Sequence, residues 1–291
     1  MELGKLTKIY RIQHGKHFRL KDFDPAETAG WQPKQTEEAL QQCIETTAQL
    51  QDRLFAQDRW ALLVIFQGID AAGKDGSIKH VMSGLNPQAC EVFSFKEPSP
   101  AELEHDFLWR ATMHMPARGR IGVFNRSYYE EVLVLRVHPE LLRNEKLPTS
   151  LVTKNSWKER YQDIRNFETH MTREGTVIRK FFLHVSKEEQ RQRFLARLEE
   201  PEKNWKFSAS DAREREFWDD YQNVYEDMIR HTSTTKAPWY VIPADNKWFT
   251  RLVISAVLVR TLTELNLSYP KVPPAERKEL ETAKQELLKK K

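Results

Sequence analysis

The sequence predicts a three-layer α/β domain, a parallel sheet with helices on both faces. Three observations carry that prediction. Continuous apolar runs of strand length recur along the chain, segments of helical period lie between them, and three of only ten glycines follow the first strong run, at Gly68, Gly73 and Gly76. A run that is apolar at every position is how a strand buried on both faces reads, and alternation of such strands with helices implies parallel pairing.

Residues 1–35 mix charge, Gly and Pro without a sustained period and read as an N-terminal arm draped over the domain. From Thr36, the residues Leu40, Ile44, Ala48, Leu54 and Phe55 follow helical spacing, with Glu37 and Glu38 near the positive end of the helix dipole. Residues 60–66 form the strongest strand signal, closed by Gly68. Residues 121–124, 177–185 and 239–242 are further strands, and 91–95 is a weaker fifth. Trp157, Tyr161, Ile164, Phe167 and Met171 mark one intervening helix. Phe217, Trp218, Tyr221, Val224, Tyr225 and Met228 mark another, with Asp211 and Glu214 spaced as a capping pair before it. No repeat or flexible linker divides residues 36–269, which are expected to be one domain. Residues 270–291 read as a charged tail, solvated or frayed into a helix.

Composition narrows the function classes. The 291 residues carry 46 Lys+Arg against 42 Asp+Glu, a formal charge of +4, with 40% hydrophobic and 30% charged residues. That is too apolar for a disordered chain and too evenly charged for a dedicated nucleic-acid binder. No apolar stretch reaches the roughly 20 residues of a membrane span, and the N-terminus has no signal-peptide pattern. Two cysteines, Cys43 and Cys90, allow neither a disulfide framework nor a cysteine-based zinc site. A soluble, cytoplasmic protein is expected, with neither nucleic acid nor membrane as a partner.

The glycine cluster is where function enters. Gly68-Ile69-Asp70-Ala71-Ala72-Gly73-Lys74-Asp75-Gly76-Ser77 has the spacing Gly, four residues, Gly, Lys, between a strand and a helix. Such a loop turns tightly, presents successive backbone N–H groups to one point, adds the positive end of a helix, and lets its lysine reach terminal phosphates. The loop residues Gly68, Ala72, Gly73, Asp75, Gly76 and Ser77 are therefore candidate phosphate contacts. Asp75 stands where Ser or Thr would normally meet magnesium. Asp70, a carboxylate among phosphates, is read as a magnesium partner or a base.

The strand at 121–124 runs into Asn125-Arg126-Ser127-Tyr128-Tyr129-Glu130-Glu131. In open α/β sheets ligands sit at the carboxyl ends of strands, which places this segment beside the glycine loop. Arg126 reads either as a phosphate clamp or as a structural ion pair at the strand end, and Glu130 as a group orienting a nucleotide or metal. Arg193 and Arg197, four residues apart on a helix, lead into a basic, aromatic, lid-like segment at about 198–212 that contains Lys206. Lys79, one turn beyond the glycine loop, extends the positive surface or is simply solvated.

Taken with Lys187-Glu188-Glu189-Gln190-Arg191-Gln192-Arg193-Phe194, Trp205-Lys206-Phe207 and Ala237-Pro238-Trp239, the loop and the segment Phe124-Asn125-Arg126-Ser127-Tyr128-Tyr129 resemble the family-2 polyphosphate kinases. The resemblance spans about residues 36–269. It implies a P-loop kinase fold with a helical lid, and reversible transfer of phosphate between inorganic polyphosphate and AMP, ADP or ATP. It also implies magnesium, or manganese in its place, and a homo-oligomer. Carried over, Asp70 and Lys74 are the loop's catalytic pair with Asp70 on the metal, Arg126 is the second-motif arginine, and Arg193, Arg197 and Lys206 meet polyphosphate or the lid. Many members have Asp where this chain has Asn125. The run Glu130-Glu131-Val132-Leu133-Val134-Leu135-Arg136-Val137 looks like the branch that phosphorylates both AMP and ADP. Two competing readings remain, an ATP-dependent nucleotide or small-molecule kinase and a non-catalytic polyphosphate or nucleotide sensor.

Overall fold

Strand formation follows the apolar runs closely. In the computed structural model, which describes residues 2–205 and 213–289, the strands are β1 (Arg11–Ile12), β2 (Ala61–Gln67), β3 (Cys90–Ser94), β4 (Ile121–Asn125), β5 (Thr176–His184) and β6 (Trp239–Pro243). They form one sheet in the order β1-β6-β5-β2-β4-β3. All seven residues of β2 are buried, as a strand covered on both faces requires. β2 pairs in parallel with β4 on one side and β5 on the other, with Leu62 opposite both Ile121 and Val177. The sheet is parallel throughout except at β1, which runs antiparallel to β6.

The principal helices are α1 (Glu2–Ile9), α2 (Pro33–Gln57), α3 (Lys74–Val81), α4 (Ser156–Arg173), α5 (Lys187–Glu199), α6 (Trp218–Thr232), α7 (Lys247–Glu264) and α8 (Pro274–Lys289). α7 packs along α2 and against α1 and α3, while α4 packs against α6 and β5. α7 is apolar over most of its circumference, with eleven buried residues. This explains the apolar run at 252–259 as a core helix rather than a surface one. α8 is an exposed helix, so the charged tail is helical over most of its length.

Residues 2–35 are built in rather than draped. Leu6, Tyr10, Phe18 and Leu20 are buried, β1 extends the sheet, and the Leu20 N–H donates to Glu226 on α6 (2.7 Å). The two-residue strand and isolated apolar positions give no period in the sequence, so only the docked structure reveals their role. Asp211, Lys206 and Phe207 lie outside the described residues, as does the second half of the lid-like segment, residues 206–212. Its described part is the end of α5, a short helix at Pro201–Asn204, and Trp205, which is exposed.

The chain crosses from one side of β2 to the other, so the carboxyl ends of β2 and β4 flank a topological switch point, the usual place for a ligand crevice. The arm's docking leaves one tight spot. A Cβ on Gly15 would come within 2.2 Å of the Arg230 carbonyl oxygen on α6. Gly15→Ala is therefore expected to lower stability by about 1–3 kcal/mol, the range for overpacking, read as a drop in the denaturant midpoint at unchanged slope.

Candidate active site

β2 ends at Gln67 and the chain turns through Gly68–Gly73 into α3. Gly68 has φ +157°, and a Cβ there would meet the Leu183 carbonyl oxygen at 3.0 Å and the Ala72 Cβ at 3.1 Å. Gly73, at φ +103°, caps α3, and its carbonyl accepts the Ser77 N–H at 2.9 Å. Ala71 (φ +62°) and Arg126 (φ +64°) are in the left-handed region without being glycine. Each such conformation costs of order 1–3 kcal/mol and persists only where neighbours hold it. Both lie at the mouth of the switch point.

Lys74 is the best-held member of the loop. Its Nζ donates back to the Gly68 carbonyl (2.6 Å) and the Ile69 carbonyl (3.3 Å), so the side chain spans the loop that it belongs to. Burial, and then the charge of Arg126, pull its pKa down to about 8.

Arg126 couples the second motif to the first. Its backbone N–H donates to the Phe66 carbonyl (2.9 Å), which hooks the end of β4 onto β2. Its Nη1 pairs with Glu130 at 3.0 Å and its Nη2 with Asp70 of the glycine loop. Glu130, ahead of Asp70, holds the guanidinium pKa above its ordinary value despite burial. Glu130 is itself fixed by Gln67 Nε2, which donates to Oε1 at 3.0 Å. Arg126 is thus ion-paired, as one of its two sequence readings has it, and it also faces the cleft. Asn125 Nδ2 donates to Asp75 Oδ1 (2.7 Å), a second tie between the motifs.

Arg193 is nine-tenths buried, and its Nη1 donates to the carbonyls of Ala71 (3.0 Å) and Ala72 (2.8 Å) while Nε pairs with Glu189 (2.8 Å). It braces the outside of the glycine loop, and that loop's strained Ala71 rests on it.

These groups surround a cleft of about 470 Å³. Asp70, Gly73, Lys74, Asp75, Gly76, Asn125, Arg126, Arg193 and Arg197 line it, together with Lys96, Lys203 and Lys247. Seven of these are basic and two are carboxylates, so the cleft is a cation-rich trough. Gly68, Ala72 and Ser77 are buried supports of the loop and Lys79 is exposed, and none of these four lines the trough. Lys206 lies outside the described residues.

Sequence reasoning passed over Lys96 and Lys247, although a signal existed. Lys96 follows β3 and Lys247 follows β6, both at carboxyl ends of strands. The structure buries Arg110, which donates to the Lys96 carbonyl (2.8 Å) and pairs with Glu131 (3.1 Å).

A second cavity of about 610 Å³ adjoins the first. Phe95, Lys96 and Arg126 line both. The second is walled by Pro98, Leu103, Val134, Leu135 and Leu141, with Glu97, Arg110, Glu130, Glu131, Asn144 and Glu145 as its further polar groups. Burial pushes the Glu131 carboxyl up to about 7, with Arg110 opposing.

A cation trough and a half-apolar cavity meeting at one arginine is the arrangement expected where an anion chain and a flat organic group are brought together. Comparison with known proteins gives the family. The family Polyphosphate kinase 2 (PPK2) matches residues 29–269. The chain belongs to the polyphosphate kinase 2 family. It is 52% identical, over 97% of this chain and 99% of the other, to a protein of Rhodopseudomonas palustris named ADP-polyphosphate phosphotransferase. It is 45% identical, over 93% and 98%, to one of Meiothermus ruber named AMP/ADP-polyphosphate phosphotransferase. Among solved structures, polyphosphate kinase 2 from Arthrobacter aurescens TC1 superposes with a TM-score of 0.86 at 37% identity, covering 96% of each chain.

The position of Lys74 sets a pH test. An anion in the trough favours the charged lysine, so deprotonation competes with binding. Affinity for tripolyphosphate should fall as pH rises through about 8, by up to about tenfold per pH unit, and calorimetry on Lys74→Met should show that this dependence is gone.

Proposed function

We propose that this protein transfers phosphate from inorganic polyphosphate to AMP and ADP, giving ADP and ATP, and that the transfer runs in both directions. The observation that carries the reading is the meeting of two cavities at Arg126. Polyphosphate lies in the trough against Lys74, Arg126, Arg197, Lys203 and Lys247. The nucleoside lies in the adjoining cavity, its base among the apolar walls and its phosphate directed past Lys96 toward Arg126. The glycine loop, the flanking helices and the parallel sheet support a kinase-type P-loop fold for this purpose, with the basic segment after α5 as a lid.

A terminal phosphate oxygen of the acceptor attacks the end phosphorus of the polyphosphate chain in line, and the bond to the next bridging oxygen breaks. Little covalent work falls to the protein, because phosphoryl transfer is accelerated by positioning and by stabilising charge on the transferring oxygens. Lys74 and Arg126 supply that charge, and the backbone N–H groups at the start of α3 add to it. Ion pairs with Asp70 and Glu130 keep the Arg126 fork in one orientation before substrate arrives.

Magnesium, or manganese, fits the donors on the rim. Asp70 and Asp75 face the trough, and each makes its contact, with Arg126 and Asn125 respectively, through Oδ1. One or two carboxylates completed by phosphate oxygens and water are a usual magnesium shell. Asn125 brings an oxygen without charge to the same edge. When bound, the ion would offset phosphate charge and help to align the chain.

The acceptor assignment takes both nucleotides. The run from Glu130 to Val137 supports it, as does the Meiothermus ruber relative, whose name covers AMP and ADP. The test is to supply magnesium and long-chain polyphosphate with AMP and ADP separately and to follow products by chromatography. ATP from both acceptors is expected. ATP from ADP alone would remove AMP from the assignment, and product formed only with ATP as donor would replace the reading with an ordinary kinase. Tight polyphosphate binding without turnover would leave a sensor.

Arg126→Ala should lower kcat by about 10²–10³, the scale of removing one well-aimed transition-state donor, with circular dichroism unchanged. Asp70→Asn should reduce turnover at saturating magnesium, and undiminished turnover would remove the proposed role of that carboxylate.

A further inference from the structure

Directly after Arg126, the tyrosines Tyr128 and Tyr129 turn into the core, and both are fully buried. Their hydroxyls converge on one carboxylate of α4. Tyr128 Oη and Tyr129 Oη donate to Glu168 Oε1 at 2.9 and 2.7 Å. Lys180 on β5, also fully buried, donates to Glu168 Oε2 (2.7 Å), to Tyr129 Oη (2.9 Å) and to the Thr232 carbonyl (2.9 Å). All three ammonium protons have acceptors, and Tyr129 Oη both donates and accepts. The result is a closed, charge-assisted network joining α4, β5 and α6 beneath the second motif.

Two features make this more than packing. A buried ion pair adds little net stability over apolar groups of the same shape, whereas it does fix geometry, since each partner tolerates few alternatives. Burial also raises the pKa of both tyrosine hydroxyls, which keeps them protonated as donors. The backbone that the network anchors is the one carrying Arg126 at φ +64°, and between Arg126 and the tyrosines lies only Ser127, whose Oγ accepts the Tyr129 N–H at 3.2 Å.

We infer that Glu168, with Lys180 and Tyr129, is a positioning device for Arg126, holding the left-handed turn that aims the guanidinium between the two cavities. Glu168 touches no substrate and acts through the second motif. The inference rests on the proposed function for its kinetic consequence but not for its structural one, and the two are separable.

Two variants test it. Glu168→Leu combined with Lys180→Met replaces the ion pair with apolar groups of similar size, and Tyr129→Phe keeps the ring while removing its hydrogen bonds should the first variant fail to fold. In either, kcat should fall about tenfold to a hundredfold, the cost of misplacing a reacting group by about 1 Å, with KM for polyphosphate within about twofold. In an Arg126→Ala background the same change should add nothing, because the group being positioned is already absent. A folded variant with wild-type kcat, or a loss that multiplies fully with that of Arg126→Ala, would overturn the inference. Without any substrate, the Arg126 Nε–H resonance should shift or broaden in Tyr129→Phe. An unmoved resonance sinks the positioning role, whereas absence of polyphosphate turnover in the wild type sinks only the functional reading.

Discussion

The left-handed turn at Arg126 is the constraint on which the site depends. Its N–H is bound to β2, its side chain reaches the glycine loop, and its successors are buried on Glu168. A non-glycine residue in that conformation is held by its neighbours, so the surrounding sheet order follows from what the turn must touch. β4 has to lie next to β2, and β5 has to lie on the other side of β2 to bring Lys180 under the tyrosines. The same strand order that completes the hydrophobic core therefore sets the spacing between the two motifs.

Electrostatically the trough carries an excess of positive charge. Lys74 is buried beside Arg126, and their mutual repulsion helps to pull its pKa down. Asp70 and Glu130 offset part of that charge and orient the fork, and a polyanion would supply the rest. Arg193 takes a different part. It is turned onto the loop carbonyls, which makes it a brace of the glycine loop as well as part of the trough wall.

Much of this was legible in the sequence where the signal was local. β2, β4 and β6 were visible as runs because burial on both faces keeps them largely apolar, whereas β5 carries Arg179 and Lys180 and the half-exposed β3 gave a weaker signal. The glycine loop was visible because tight turns and close backbone approach leave few residue types open, and Gly68 and Gly73 occupy such positions. Other features carried only a weak local signal. β1 is two residues long, Lys96 and Lys247 are single lysines among many, and Arg110 is one arginine whose role rests on Glu131.

By itself, then, the sequence determined the α/β fold class, the glycine loop between strand and helix, the family and the choice of Asp70, Lys74 and Arg126 as candidates, since each is written in spacing and residue type over short stretches. Tertiary structure decided how those residues are placed: that Arg126 spans two carboxylates, that Arg193 faces the loop carbonyls, that Asn125 ties to Asp75, and that two cavities adjoin along Phe95, Lys96 and Arg126. The physical reason is range. Turn geometry and burial act within a few residues, while ion pairs, desolvation and cavity shape arise between segments tens of residues apart and exist only once the sheet has ordered them.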